Sequence, residues 1–272
     1  MSQVSVRNLW MEYPGQVVLE RVNLEIASGE FCVLLGPSGC GKTTFLRLLL
    51  SMEVPTRGEI RLDGEKLPGE PGPDRGVVFQ RYSVFPHLTV MQNVILGLEF
   101  ARAPLLGTLW GAARRRAMTE AERAISAVGL TEARDKYPSQ LSGGMQQRLA
   151  IAQTLIRKPK LLLLDEPFGA LDPGTKLQMY ELITKLWREE QITIFMVTHD
   201  LKEGFTLATR VLTFDKIRSD PQAPGAYGAT ITFNLPLHRR RARESALAPA
   251  ESAPKPLSAG PEFRLPQGGP RV

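Results

Sequence analysis

A glycine-rich segment lies between an apolar run and a helical pattern near the start of the chain. Residues 31–35 are Phe, Cys, Val, Leu and Leu, which predicts a strand buried on both faces, and residues 42–52 have the apolar spacing of a helix. This order of strand, loop and helix separates a phosphate-binding loop from a chance match to G-x-x-x-x-G-K-[ST]. The matching residues, called the phosphate loop below, are Gly36, Pro37, Ser38, Gly39, Cys40, Gly41, Lys42 and Thr43. They predict an α/β domain.

The residue types of the phosphate loop indicate its chemistry. Glycines let backbone N–H groups face a β-phosphate, and Lys42 adds a cation at the β- and γ-phosphate oxygens. The hydroxyl of Thr43 is a ligand of the kind that Mg²⁺ accepts. The expected ligands are therefore a nucleotide and Mg²⁺, and the alternative is a glycine-rich turn without a ligand.

Two acidic residues follow a second apolar run. Residues 161–164 are all leucine, which predicts a buried strand, and Asp165 and Glu166 come directly after it. Open α/β sheets place their ligands at the carboxyl ends of parallel strands. We expect Asp165 to hold Mg²⁺ and Glu166 to act as the general base on the attacking water. The alternative is a pair of exposed acids that only cap a strand.

Three further residues each allow two interpretations, one functional and one purely structural. His199 follows a strand predicted at residues 192–197, and it either reaches the γ-phosphate and the attacking water or is a polar surface residue. Gln80 follows a strand predicted at residues 76–79, and it is either a ligand of the metal and the water or a polar strand end. Tyr13 either stacks on the base of the nucleotide or covers the edge of the first strands.

A second turn suited to an anion occurs later in the chain. Residues 141–145 are Leu, Ser, Gly, Gly and Met, and an apolar stripe at helical spacing begins there: Met145, Leu149, Ala152 and Ile156. The Ser-Gly-Gly turn (Ser142, Gly143 and Gly144) is therefore expected at a helix N-terminus, where free N–H groups and the helix dipole favour an anion. One nucleotide does not need two such sites.

Charge, cysteine content and hydropathy limit the class of protein. The 272-residue chain has a formal net charge of +6, most of it from residues 238–272, which hold seven basic and three acidic residues. The nearly neutral remainder does not favour nucleic acid as a partner. Cys32 lies in the buried run and Cys40 in the phosphate loop, so we expect reduced thiols. No apolar run is long enough to cross a bilayer, and we expect a soluble, cytoplasmic protein.

All-helical patterns interrupt the α/β pattern. Residues 90–157 contain only helical patterns, and the α/β pattern resumes at residue 161. We therefore expect one domain at residues 1–237 with an inserted helical subdomain at about 85–157. Residues 238–272 predict a disordered, basic tail rich in Pro and Ala.

Three local patterns complete this organisation. A helix is expected to begin at Pro173 with Asp172 as its N-cap. Residues 230–233 predict a short edge strand. Residues 105–118 are less regular than the rest of the insert, which indicates a solvated loop or, as an alternative, a contact at a membrane.

Together the motifs resemble, in order and spacing, those of ABC-transporter ATPase subunits, from about Val4 to Phe214. The resemblance implies a P-loop NTPase fold, the ABC cassette. This fold has a RecA-like α/β core, an N-terminal antiparallel β subdomain and an inserted α-helical subdomain. Gln80 resembles the Q-loop glutamine and His199 the switch histidine of the family. The nucleotide is then ATP, hydrolysed with Mg²⁺.

The resemblance extends to further site residues and to a second subunit. Asp172 is similar to the D-loop aspartate, Tyr13 to the adenine-stacking aromatic, and Thr44 joins the nucleotide-binding residues. In this family two cassettes pair head to tail, which implies a homodimer here. The Ser-Gly-Gly turn would then close on the γ-phosphate held by the partner's phosphate loop.

The family also implies a set of transport partners. A separate membrane permease would contact residues 81–90, just after Gln80, and a periplasmic or extracellular substrate-binding protein would act indirectly. The subunit would lie peripherally on the cytoplasmic face of the inner membrane. No nucleic acid is expected, because cassettes of DNA repair need long heptad arms and translation-type cassettes need two cassettes in one chain. The remaining alternative is a regulatory subunit that binds ATP without hydrolysing it.

Two stretches resemble particular importer groups. Met145 and residues 80–90 resemble ATPases of the nitrate, sulfonate and taurine importers. Residues 215–232 resemble members encoded with urea or guanidine carboxylases. The resemblance therefore implies an importer for a solute of one of these classes.

Overall fold

The phosphate loop directly follows an interior strand of a six-stranded sheet. The computed structural model describes residues 2–79, 84–102 and 109–237. The strands within these ranges are β1 (Val4–Tyr13), β2 (Gln16–Ile26), β3 (Phe31–Leu35), β4 (Arg57–Leu62), β5 (Glu65–Lys66), β6 (Arg75–Val78), β7 (Leu161–Asp165), β8 (Thr193–Val197), β9 (Arg210–Asp215) and β10 (Thr230–Pro236). The α-helices are α1 (Lys42–Leu49), α2 (Val90–Arg102), α3 (Gly111–Ala127), α4 (Gly143–Leu155), α5 (Pro173–Glu190) and α6 (Leu201–Leu207).

The strands form two sheets of different character. An antiparallel sheet has the order β2-β1-β4-β5, and the second sheet has the order β10-β9-β3-β8-β7-β6. In the second sheet β9, β3, β8, β7 and β6 are parallel, and β10 is antiparallel to β9. The carboxyl ends of β3, β8 and β7 therefore lie at one edge, where a doubly wound sheet binds its ligand. Residues 31–35 and 193–197 are buried throughout, as expected for strands covered on both faces.

The segment between β6 and β7 is helical, as the sequence predicts. Helices α2, α3 and α4 pack on one another around apolar side chains such as Val94, Leu98 and Leu149. Two short 3-10 helices, Thr131–Ala133 and Pro138–Gln140, join α3 to α4. Within the described ranges, no helix is both long and apolar enough to cross a membrane.

Two sequence predictions of local structure are wrong. Residues 111–118 form the start of α3 rather than a loop, because the buried face of α3 consists of small residues such as Ala117 and Ala121, which leave a weak apolar pattern. Residues 103–108 lie outside the described residues. Helix α1 ends at Leu49 rather than at residue 52, because Ser51 has a φ of 57° and its hydroxyl accepts a hydrogen bond (2.5 Å) from Arg75 on β6.

Several other local predictions are confirmed. The carboxylate of Asp172 accepts a hydrogen bond from the Thr175 N–H (3.0 Å) as the N-cap of α5, and Pro173 is the first helical residue. The predicted edge strand is β10, which extends to Pro236. Cys32 and Cys40 are both free thiols, and burial raises the pKa of Cys32. The predicted tail at residues 238–272 lies outside the described residues.

The connection between β9 and β10 lies against β2. The Val17 N–H donates to the Gly225 carbonyl (2.8 Å), and the Ala229 N–H donates to the Val18 carbonyl (2.9 Å). The buried carboxylate of Glu20 on β2 pairs with Arg218 (2.8 Å). The connection between β9 and β10 therefore packs along β2 of the antiparallel sheet.

The packing of Phe45 on α1, the helix that follows the phosphate loop, can be tested by substitution. Its side chain is fully buried against the rings of Phe195 and Phe214, with centroids 6.2 and 5.2 Å away. Phe45→Ala leaves a cavity there and should lower the free energy of unfolding by about 3–5 kcal/mol. Phe233→Ala, at a 70% exposed position on β10, is the matched control and should change it by less than about 0.5 kcal/mol. Urea denaturation measures both, and equal effects would contradict this packing.

Candidate functional site

Lys42 is held inside the phosphate loop. Its Nζ donates to the carbonyl oxygens of Gly36 and Pro37, both at 2.8 Å, and lies 3.6 Å from the Cys40 sulfur. The residue is buried, with 8% of its surface exposed. The ammonium group is therefore fixed by the loop itself, at the start of α1, where an anion also meets free N–H groups.

Two glycines of the phosphate loop are required by close packing. A Cβ on Gly36 would lie 2.2 Å from the carbonyl oxygen of Phe214. Gly41, the N-cap of α1, has a φ of 86°, and a Cβ there would lie 2.8 Å from Leu19 on β2. The loop backbone is thus packed between β9 and β2, and any side chain at these positions would displace it.

Thr43 and Asp165 meet across the carboxyl edge of the sheet. The hydroxyl of Thr43, in the first turn of α1, donates to the Asp165 carboxylate at the end of β7 (3.4 Å). Burial raises the pKa of the Asp165 carboxyl, and the neighbouring charge of Glu166 adds to this, while the Thr43 hydrogen bond opposes it. A hydroxyl and a carboxylate are oxygen ligands of the kind that a hard cation such as Mg²⁺ takes.

Glu166 has a strained backbone beside His199. Its φ of 46° lies in the left-handed region, which costs a non-glycine residue about 1–2 kcal/mol. Its N–H donates to the carbonyl of Val197 on β8 (3.0 Å), and this bond fixes the strained turn. The Glu166 Oε1 lies 3.6 Å from the Nδ1 of His199, which follows β8 and is exposed. Strain of this kind concentrates at functional sites.

Tyr13 lies near α1, at the end of β1. Its hydroxyl forms hydrogen bonds with Glu53 and with Thr44, the residue after Thr43. The residue is 38% exposed. Its partial burial raises the pKa of its hydroxyl, and the nearby Glu53 carboxylate raises this pKa further. The polar end of the side chain is therefore fixed beside the phosphate loop, and stacking on adenine stays a prediction.

The Ser-Gly-Gly turn lies against Thr175 in the first turn of α5. Ser142 is the N-cap of α4, and its hydroxyl accepts the Met145 N–H (3.3 Å). A Cβ on Gly144 would lie 2.5 Å from the Cγ2 of Thr175, the residue whose N–H is capped by Asp172. The N-termini of α4 and α5 thus form a second cluster.

Gln80 lies outside the described residues, as do residues 81–83. The described structure continues at residue 84, and Asn93 of α2 forms hydrogen bonds with Phe85, Leu88 and Thr89. The Asn93 side chain accepts the Phe85 N–H (2.8 Å) and donates to the carbonyls of Phe85, Leu88 and Thr89. Asn93 is fully buried, so residues 85–89 are fixed to the helical subdomain.

Two buried polar residues near the site were not singled out from the sequence. Gln147 on α4 donates through its side-chain amide to the carbonyl of Pro167, next to Glu166. Glu203 on α6 is 3% exposed and lies close to His199 in sequence. The sequence signal was of the same kind for both: each lies four residues before a buried apolar residue of its own helix, Gln147 before Ile151 on α4 and Glu203 before Leu207 on α6.

Comparisons with known proteins agree with this geometry. A family model described as ABC transporter matches residues 19–169. The nitrate import ATP-binding protein NrtD of Synechocystis sp. is 43% identical over 220 residues, which are 81% of this chain and 77% of that protein. The taurine import ATP-binding protein TauB of Chromobacterium violaceum is 39% identical over 266 residues, which are 97% of this chain and 92% of that protein.

Solved structures have the same fold. A dimeric structure of a bacterial ABC transporter cassette has a TM-score of 0.69 and 30% identity, and it covers 86% of this chain and 98% of its own. A post-hydrolysis state of that cassette, bound to ADP and Pi, has a TM-score of 0.68 and 29% identity over the same shares of the two chains. The expected fold, with its α/β core, antiparallel β subdomain and helical insert, is confirmed. The chain belongs to the ABC transporter family, as one of its ATP-hydrolysing cassettes.

Proposed function

We propose that this chain is the ATP-hydrolysing subunit of an ABC importer and that Glu166 and His199 carry out the hydrolytic step. The observation that supports this most strongly is the contact between Glu166 and His199 at the sheet edge where Thr43 meets Asp165. The relatives named for nitrate and taurine import support the transport role.

Each residue of the edge has a task in phosphoryl transfer. Lys42 and the backbone N–H groups of the phosphate loop bind the β- and γ-phosphates. Bound Mg²⁺ would neutralise phosphate charge there, held by Thr43, Asp165 and Gln80. Glu166 takes a proton from the water that attacks the γ-phosphorus, and the bond to the β-γ bridging oxygen breaks to leave ADP and phosphate.

The Ser-Gly-Gly turn is proposed to act on the nucleotide of a second copy. Gly143 is exposed, its φ is not positive, and a Cβ there would have no neighbour within 4 Å, so nothing in the described part of its own chain requires a glycine. A bare, exposed backbone at a helix N-terminus suits the close approach of a phosphate. We infer a head-to-tail homodimer in which this turn meets the γ-phosphate on the partner's phosphate loop, with Asp172 beside it.

A groove between the sheet and the helical subdomain is proposed to receive a permease. Its volume is about 540 Å³, and it lies between β6, α2 and α4, with Phe85, Gly97 and Thr154 among its lining residues. Phe100 on its wall is 70% exposed, an apolar surface suited to a partner helix. The subunit would thus sit on the cytoplasmic face of the membrane, and a substrate-binding protein would act on it only through the permease.

The solute is proposed to belong to the nitrate, sulfonate and taurine class. The relatives named for nitrate and for taurine support this choice. The cassette itself contacts nucleotide and permease, so solute selection lies in the partner proteins.

Lys42→Ala should weaken ATP binding by at least about tenfold, because it removes the cation that is fixed within the phosphate loop. Isothermal titration with ATP and Mg²⁺ measures the dissociation constant. Lys66→Ala, an exposed lysine on β5, is the control and should bind as the unchanged protein does. An unaltered affinity in the Lys42 variant would remove this residue from the site.

Glu166→Gln should bind ATP normally yet hydrolyse it at least about a hundredfold more slowly, since the amide cannot accept the water proton. The ATP-bound dimer should then accumulate with Mg²⁺ and be visible by analytical ultracentrifugation. Glu189→Gln, an exposed residue of α5, is the matched control. A Glu166 variant that stays monomeric and hydrolyses at the normal rate would refute the role.

Gly143→Ala separates partner contact from folding. Because its Cβ enters open space, the free energy of unfolding should stay within about 0.5 kcal/mol, as for the control Gly69→Ala. The ATP-induced dimer, measured in the Glu166→Gln background, should weaken by about tenfold or more, because the methyl group blocks the approach of phosphate. Normal dimerisation would show that the turn does not face the partner's nucleotide.

A further inference from the structure

Glu203 is a buried carboxylate held by three donors. It is 3% exposed, and it accepts hydrogen bonds from the Thr198 hydroxyl (2.5 Å), the Tyr180 hydroxyl (3.1 Å) and the Lys176 ammonium (3.3 Å). Burying a charged carboxylate is costly unless its oxygens are fully paired. Glu203 therefore joins α5, which carries Lys176 and Tyr180, to the turn after β8, which carries Thr198.

The first of those segments is the turn of His199. Thr198 has one hydroxyl proton, which it donates to Glu203, so its oxygen is free to accept the Asp200 N–H (3.1 Å). The Thr198 N–H also donates to the carbonyl of Leu34 (3.3 Å). The backbone on both sides of His199 is therefore held in place by these hydrogen bonds. The carboxylate of Glu203 orients the Thr198 hydroxyl so that its oxygen can accept the Asp200 N–H.

The second segment is the loop of Glu166. The ring of Tyr180 on α5 packs edge-on against Phe168, two residues after Glu166, with centroids 5.0 Å apart. Burial, together with the Glu203 charge, raises the pKa of the Tyr180 hydroxyl, which therefore stays a donor. One carboxylate thus connects the segments that carry Glu166 and His199.

We propose that Glu203 is a positioning residue for ATP hydrolysis that holds His199 against Glu166 through Thr198 and Tyr180. The proposal rests on the proposed roles of Glu166 and His199. The hydrogen bonds that Glu203 accepts within the described residues come from Thr198, Tyr180 and Lys176 and not from the phosphate loop, so we expect it to act on the hydrolytic step and not on nucleotide binding. A shift of about 1 Å between reacting groups costs up to about a hundredfold in rate.

The test measures kcat and KM for ATP with the full-length chain. Glu203→Gln keeps the shape of the side chain but removes its charge, and kcat should fall by about tenfold while KM changes by less than about twofold. Thr198→Val should also lower kcat by about tenfold with little change in KM, and it replaces Glu203→Gln as the test if that variant does not fold. Thr198→Ser keeps the hydroxyl and should have nearly the kcat of the unchanged protein. Glu189→Gln is the exposed control and should change neither constant.

A double-variant cycle with His199→Ala shows whether the effect passes through His199. The variant with both Glu203→Gln and His199→Ala should be no slower than His199→Ala alone. If His199→Ala is slow but Glu203→Gln has a normal kcat, or if the two losses multiply, the positioning role is overturned while the proposed function stands. If His199→Ala itself retains full kcat, the role of His199 fails and the inference fails with it.

Discussion

Parallel pairing of β3, β8 and β7 is the constraint on which the site depends. Each strand ends in a different chemical group, namely the phosphate loop after β3, His199 after β8, and Asp165 with Glu166 at the end of β7. These groups are far apart in sequence, and the strand register alone brings them to one edge. The contact between Thr43 and Asp165 and that between Glu166 and His199 are consequences of this register.

Rigidity at this edge comes from backbone packing as much as from side chains. Gly36 and Gly41 leave no space between the phosphate loop and its neighbours, and Glu166 keeps a left-handed backbone through one hydrogen bond to β8. These features fix the hydrogen-bond donors of the site before a ligand binds. Donors that are already in place stabilise developing charge without a free-energy cost of reorganisation during the reaction. By contrast, a Cβ at Gly143 would enter open space, which the proposed contact with a second copy requires.

Much of this fold was predictable from sequence because its elements carry strong local signals. The apolar strands at residues 31–35 and 161–164, and the Asp172 cap of α5, need no tertiary information. The end of α1 was not predictable, since a hydrogen bond between Ser51 and the distant Arg75 decides it. Glu203 was also missed, because its spacing to Leu207 predicts a buried position but does not reveal the donor on α5 that pairs with it.

The packing of the phosphate loop against Phe214 also has a consequence for biosynthesis. Gly36 packs against the carbonyl of Phe214, which is synthesised nearly 180 residues later. Among the described strands, the neighbours of β3 in the sheet are β8 and β9. A nascent chain that ends before β9 therefore lacks the surface against which the loop is shaped. Contacts of such long range form late in folding. We therefore expect the phosphate loop of a nascent chain to reach its final shape only after β9 has emerged from the ribosome.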